Sequence, residues 1–151
     1  MNLVSYDAQW PKLYQLEKDK LLSLLSENAV DIQHIGSTAI PEIASKPIID
    51  IMVMLHSIQN GAQYLKPLNE LGYEYAKDRS STERFFLTKG NPVVFHLSLT
   101  DASTPYWGRQ LLFRDYLLSH PEVAKEYEKL KLELIKKYPS GQDEYSSGKS
   151  E

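Results

Sequence analysis

The chain has 151 residues, a net charge of −3 and no cysteine. Its length predicts one domain over residues 1–151. The absence of cysteine excludes disulfide frameworks, thiolate zinc sites and cysteine nucleophiles, and it fits a cytoplasmic protein. The net charge argues against a polybasic coat, although residues 77–114 carry more basic than acidic side chains, and long nucleic acids are not expected partners. The longest strongly apolar run, residues 48–55, is far shorter than the roughly 20 residues of a membrane helix, so no membrane association is expected.

Apolar periodicity and turn residues predict helices and strands in alternation. The expected helices cover residues 8–28, 57–71, 106–120 and 121–138. The expected strands cover residues 30–35, 48–55, 73–77, 83–89 and 93–100, and the last two form a hairpin. This order predicts a mixed α/β sheet within about residues 1–100, C-terminal helices within about 104–140, and a polar tail over 140–151.

Asp50 is the most informative residue, because it places a carboxylate inside the apolar strand 48–55. Its burial is costly unless a cation, a metal ion or a hydrogen-bond donor meets it. The alternative is an aspartate at a strand end that caps a helix or pairs with a structural arginine.

The turn Gly36-Ser37-Thr38 ends the preceding strand. Glycine lets the backbone approach a phosphate, whose oxygens then bind successive N–H groups and a hydroxyl. The turn is therefore a candidate phosphate-binding site. The alternative is an ordinary turn, since Gly-Ser-Thr is common in turns.

Imidazole and cationic side chains complete the candidate site. His96 and Ser98 share one face of their strand, and His34 lies just before the turn, so Asp50, His34 and His96 are candidate metal ligands. Hydrogen-bonded structural histidines are the alternative. Candidate partners for phosphate or carboxylate groups are Lys46, Arg84, Lys89, Arg109 and Arg114. A solvated helix face is predicted from interleaved charges in the last helix, namely Lys125, Lys129, Lys136 and Lys137 with Glu122, Glu126, Glu128 and Glu133.

Several segments resemble the GrpB family. They are Tyr6-Asp7-Ala8-Gln9-Trp10-Pro11, His34-Ile35-Gly36-Ser37-Thr38-Ala39-Ile40-Pro41, Lys46-Pro47-Ile48-Ile49-Asp50-Ile51-Met52-Val53, Arg84-Phe85-Phe86 and Phe95-His96-Leu97, with Tyr145 and Lys149 in a C-terminal pattern. The resemblance implies the nucleotidyltransferase fold of the DNA polymerase β type, a mixed β-sheet with flanking helices and a C-terminal helical portion. It also implies that Gly36 and Ser37 contact phosphate and that Asp50 is the first ligand of Mg²⁺ or Mn²⁺.

Three residues depart from the pattern that this resemblance implies. Met52 stands where the superfamily has its second metal-binding aspartate, as an apolar residue does in GrpB relatives. Ser98 replaces the second histidine of a His-Leu-His pattern. Glu42 stands where relatives often have glycine. Since Mg²⁺ prefers several oxygen ligands, these departures weaken the case for a two-metal centre.

Three functions remain open on the sequence. The first is metal-dependent nucleotidyl transfer, with Asp50 on the metal, Ser37 on the phosphates, and Lys46 or Arg84 offsetting charge in the transition state. The second is an inactive module that binds a nucleotide or another phosphate-bearing small molecule. The third is a protein-interaction module of the same fold. The sequence does not define the substrate, the acceptor or the oligomeric state.

Overall fold

The computed structural model describes residues 3–137. Their helices are α1 (Trp10–Leu25), α2 (Leu65–Glu70), α3 (Tyr106–Ser119) and α4 (Pro121–Lys137). Their strands are β1 (Ala29–Ile35), β2 (Ile49–Leu55), β3 (Tyr73–Tyr75), β4 (Phe85–Gly90) and β5 (Val93–Thr100). The predicted tail over 140–151, with Tyr145 and Lys149, lies outside the described residues. No helix within 3–137 is long and apolar enough to cross a bilayer.

The five strands form one mixed sheet in the order β1-β2-β5-β4-β3. Only β2 and β5 pair in parallel, whereas the other three pairs are antiparallel. The predicted mixed sheet with flanking helices is therefore confirmed. The parallel register sets Asp50 beside His96 and Met52 beside Ser98. Candidate site residues that are distant in the sequence therefore lie next to each other in the sheet.

The two faces of the sheet differ in character. One face, here the α1 face, carries the main apolar core, in which Ile51, Val53 and Leu97 pack with Leu21 and Leu25 of α1. Because side chains alternate along a strand, the register puts Asp50, Met52, His96 and Ser98 on the opposite face. That face is here called the α3 face, because Met52 and Ile35 pack there against Tyr106 of α3.

The predicted helix over 57–71 is wrong in its first half. Residues Ile58–Tyr64 form a 3-10 helix, and α2 begins only at Leu65. Gly61 is buried against Phe85, where an added Cβ would come 2.5 Å from the ring. Close packing on the hairpin thus determines the path of this segment, and local helix propensity does not.

The other differences are at element ends. The predicted helix over 8–28 ends at Leu25, because Ser26 adopts a φ of 52°. The predicted strand over 73–77 ends at Tyr75, and residues Lys77–Arg79 form a 3-10 turn. The predicted hairpin is present as β4 and β5.

Helix α4 binds the backbone of the connection between the Gly36 turn and β2. Lys125 Nζ donates to the Glu42 carbonyl (2.6 Å), Lys131 Nζ donates to the Ala44 carbonyl (2.9 Å), and the Ala44 N–H donates to the Glu128 carboxylate. The predicted solvated face is therefore wrong for Glu128, whose side chain is only 19% exposed, whereas the Lys125 side chain is 57% exposed. Lys131 is in fact fully buried.

Candidate functional site

Asp50 and His96 form a hydrogen-bonded pair at the centre of the α3 face. The two residues are neighbours on β2 and β5, and His96 Nδ1 lies 3.0 Å from Asp50 Oδ1. Their side chains are 14% exposed for His96 and 30% for Asp50. The carboxylate thus has a hydrogen-bonding partner, as its position in an apolar strand requires, and the pair is still reached by solvent.

Gly36 packs directly against Asp50. Its φ of 76° and ψ of −174° are accessible almost only to glycine. A Cβ added here would lie 3.1 Å from Asp50 Cγ and in overlap with Oδ2. Two local features therefore require glycine at position 36, namely its backbone conformation and the close approach of the Asp50 carboxylate.

Ser37 follows Gly36 in the first turn of a 3-10 helix, and its side chain is unusual. The residue is 5% exposed, and its Oγ is buried without a hydrogen-bond partner in the part of the chain that the structure describes. Buried hydroxyls are nearly always satisfied in folded proteins. An unpaired one in the turn whose Gly36 packs on Asp50 is thus a feature that a bound oxyanion or water would explain.

Thr38 and His34 bind each other instead of joining the Asp50–His96 pair. Their Oγ1 and Nε2 atoms are 2.8 Å apart, and Thr38 is 1% exposed. The His34 ring stacks on Tyr14 of α1 at 4.8 Å between centroids. Burial lowers the pKa of His34 to about 4, with Arg114 adding to the effect and Asp50 opposing it. His34 is therefore neutral at pH 7, and strand parity points it to the α1 face.

Arg114 and Lys89 are engaged within the protein. Arg114 of α3 donates to the Gln33 side chain (2.8 Å) and to the His34 carbonyl (3.0 Å). Lys89 Nζ binds the buried carboxylate of Glu17 at 2.8 Å, on the α1 face. The phosphate-binding role predicted for Arg114 stays a prediction, whereas Lys89 does not lie beside Asp50.

Arg84 lies on the α3 face, as the candidate site requires. Its Nη1 donates to Ser98 Oγ (3.0 Å) and to Tyr106 OH (3.2 Å). Its guanidinium carbon lies 4.3 Å from the centroid of Phe86, whose ring contacts His96 at 5.0 Å. Asp50, His96 and Arg84 are thus linked through Phe86 along one sheet face, while Lys46 lies in the loop before β2.

Sequence reasoning missed the contributions of Phe86 and Tyr106 to this site. Tyr106 OH also lies 3.2 Å from Ser98 Oγ, so Ser98, Arg84 and Tyr106 form a closed polar cluster. Strand alternation signals Ser98. Nothing in the sequence signals Tyr106, which reaches the sheet only through the packing of α3.

The residues present do not fit a two-metal centre. Met52, at the position of the second carboxylate, is fully buried, and His96 and Ser98 occupy the facing positions on β5. Within residues 3–137, no group of three or more His, Asp or Glu side chains is placed to hold a metal ion. Mg²⁺ prefers an octahedron of oxygens, so a single Mg²⁺ or Mn²⁺ at Asp50 stays a prediction.

The family model described as GrpB protein matches residues 1–151. The chain belongs to the GrpB family. It is 34% identical to the UPF0157 protein YqkA of Bacillus subtilis, with 100% of this chain and 44% of the relative covered. It is 35% identical to the glutamate-rich protein GrpB of Alkalihalophilus pseudofirmus (99% and 89% covered) and 33% identical to a UPF0157 protein of Pseudomonas aeruginosa (96% and 61%). This GrpB chain thus spans only about half the length of some curated relatives.

Solved structures show the same fold. The conserved protein GrpB from Enterococcus faecalis superposes with a TM-score of 0.89 at 29% identity, over 99% of this chain and 95% of that one. Cid1, in complex with the UTP analogue UMPNPP, gives a TM-score of 0.54 at 18% identity, over 95% and 48%. The second likeness establishes the nucleotidyltransferase fold and nothing about activity.

Proposed function

We propose that this GrpB chain binds a nucleotide, or another small molecule carrying phosphate groups, at the Gly36-Ser37 turn beside Asp50. The single observation that carries the proposal is the buried, unpartnered hydroxyl of Ser37 next to a glycine that packs on a carboxylate. Leaving such a group unsatisfied costs about 1–3 kcal/mol. A phosphate oxygen that reaches Ser37 after a side-chain rotation recovers that free energy.

The fold supports the same proposal. Cid1, with which the chain shares its fold, was solved with a UTP analogue. The Gly-Ser turn of this chain precedes the strand of Asp50 and is separated from it by a short connection, as in the nucleotidyltransferase pattern that the sequence resembles. Ligands in such folds bind in a cleft with a few convergent polar groups.

Binding without group transfer is favoured by Met52. Nucleotidyl transfer requires a metal at Asp50 and a cation, such as Lys46 or Arg84, against the charge that develops in the transition state. The buried Met52 side chain removes the second carboxylate that a two-metal reaction uses. Transfer therefore remains a second candidate, which labelled nucleotide and an acceptor panel with Mg²⁺ or Mn²⁺ would test.

The binding proposal is tested by thermal denaturation with ATP, CTP, GTP, UTP and coenzyme A precursors, with and without Mg²⁺. A ligand at 100 times its Kd stabilises the folded state by about 2.7 kcal/mol. Ser37→Ala should raise the Kd of the ligand at least fivefold. It should not lower the stability of the ligand-free protein, since no hydrogen bond is lost.

The matched control is Ser45→Ala. Ser45 is equally buried at 5% exposure, but its hydroxyl already donates to the Lys46 carbonyl at 2.9 Å. It should lower stability and leave nucleotide affinity unchanged. A flat melting temperature across all ligands, or equal affinities for wild type and Ser37→Ala, would contradict the proposal.

A further inference from the structure

We propose that Arg79 and Arg84, which both lie over the Phe86 ring, form a second anion site that takes a phosphate group of another ligand. Their guanidinium carbons are 4.5 Å and 4.3 Å from the ring centroid. The role of this second ligand rests on the proposed function, because the ligand would lie next to the nucleotide bound at the Gly36 turn. Its binding is measurable independently of that function.

The first argument is charge. Arg84 is only partly exposed, and its Nη1 donates to two neutral hydroxyls, of Ser98 and Tyr106. Within residues 3–137, no carboxylate lies at ion-pair distance from Arg84 or Arg79. By contrast, Arg109 pairs with Glu83 at 3.3 Å. The two guanidinium groups thus contact one aromatic ring without a counterion, and a bound anion would relieve the repulsion between their positive charges.

The second argument is preorganisation. The Arg84 guanidinium contacts the rings of both Phe86 and Tyr106, the latter at 5.3 Å from the centroid, and it also donates hydrogen bonds to Ser98 and Tyr106. Such a fixed guanidinium loses little conformational entropy on binding, and its planar fork matches the oxygens of phosphate. Arg79 is exposed and stacks on the same ring, so it can close over an anion held by Arg84.

The third argument is place. Phe86 is the link, since its ring contacts both arginines and lies 5.0 Å from the imidazole of His96. His96 in turn holds Asp50 at 3.0 Å. The arginine pair therefore lies on the same sheet face as Asp50 and one ring beyond it. An anion bound by the two arginines would therefore occupy a position adjacent to a nucleotide bound at the Gly36 turn, without overlapping it.

The test is calorimetric titration of the full chain with inorganic phosphate, pyrophosphate and acetate at low ionic strength. Phosphate and pyrophosphate should bind and acetate should not, which separates a phosphate site from a general carboxylate site. Arg84→Gln should weaken pyrophosphate binding about tenfold or more, the range expected for lost charge-assisted hydrogen bonds. Arg79→Gln should weaken it about threefold. Lys129→Gln, which removes the same charge from α4, should change it less than twofold.

Arg79→Gln keeps the test sharp if Arg84→Gln fails to fold, because Arg79 is exposed and its side chain makes no hydrogen bond within residues 3–137. Equal pyrophosphate affinities for wild type, Arg79→Gln and Lys129→Gln would overturn the inference. So would acetate binding as tightly as phosphate.

The two proposals fail separately. Nucleotide binding that depends on Ser37 but not on either arginine overturns the second site alone. Pyrophosphate binding that depends on the arginines, in a chain that no nucleotide stabilises, overturns the nucleotide site alone.

Discussion

Replacing Gly36 with alanine should destabilise the protein strongly. The backbone at φ 76° and ψ −174° lies in a region nearly restricted to glycine, so alanine costs about 1–3 kcal/mol there. Its Cβ would also overlap Asp50 Oδ2 and displace the carboxylate from His96. A lost hydrogen bond to a charged group adds about 1.5–3 kcal/mol. The expected loss is about 3–5 kcal/mol, a large part of the stability of an ordinary domain.

Urea denaturation of Gly36→Ala measures this loss, and Gly108→Ala is the matched control. A Cβ at Gly108 meets nothing within 4 Å. Because alanine is favoured inside a helix, this variant should be about 0.5–1 kcal/mol more stable. The imidazole resonances of His96 should shift only in Gly36→Ala. A loss below about 1 kcal/mol in Gly36→Ala, with His96 unchanged, would refute the packing argument.

Three further predictions concern stability. His34 is neutral in the folded protein because burial lowers its pKa to about 4, and it gains a proton on unfolding below pH 6.5. The free energy of unfolding should therefore fall by about 2 kcal/mol from pH 7 to pH 5. In urea titrations, His34→Gln should reduce this dependence on pH. Glu42 has a φ of 73°, so Glu42→Gly should raise stability by up to about 1 kcal/mol; a lower urea midpoint would contradict this. Lys131→Met should lower stability by about 1.5–3 kcal/mol, because the Ala44 carbonyl loses a buried charged donor; a variant as stable as Lys129→Met would show that the bond is unimportant.

The sheet face of His96 and the strand of Asp50 could be predicted. Side chains alternate between the two faces of a strand, and the apolar run around Asp50 identifies its strand in the sequence. The sequence pattern placed His96 and Ser98 on one strand face, and the structure sets that face beside Asp50. His34 could not be placed in the same way. It lies on β1, whose pairing with β2 sets His34 opposite Ile51 and Ile35 opposite Asp50. A register shifted by one residue would have exchanged these two faces, and the sequence alone does not determine the register.

Contacts between distant segments were also beyond prediction. The lysine–glutamate pattern of α4 is the same whether its side chains face water or a neighbouring loop. Only the packing of α4 shows that Lys125, Glu128 and Lys131 bind backbone groups near Glu42 and Ala44. The positive φ of Glu42 is a backbone conformation that favours glycine at this position.

Helix α4 thereby becomes part of the scaffold of the candidate site. The Gly36 turn and Asp50 lie on either side of the connection that α4 binds, and Gly36 leaves no space for Asp50 to move towards it. A second restraint on this connection is the bridge between Val4 and Ser45, with backbone hydrogen bonds of 2.9 Å and 3.0 Å. The distance between the turn and the carboxylate therefore depends on contacts from both ends of the described chain. Truncation before α4 should consequently weaken nucleotide binding even if the sheet still folds, because the turn would lose its fixed position against Asp50.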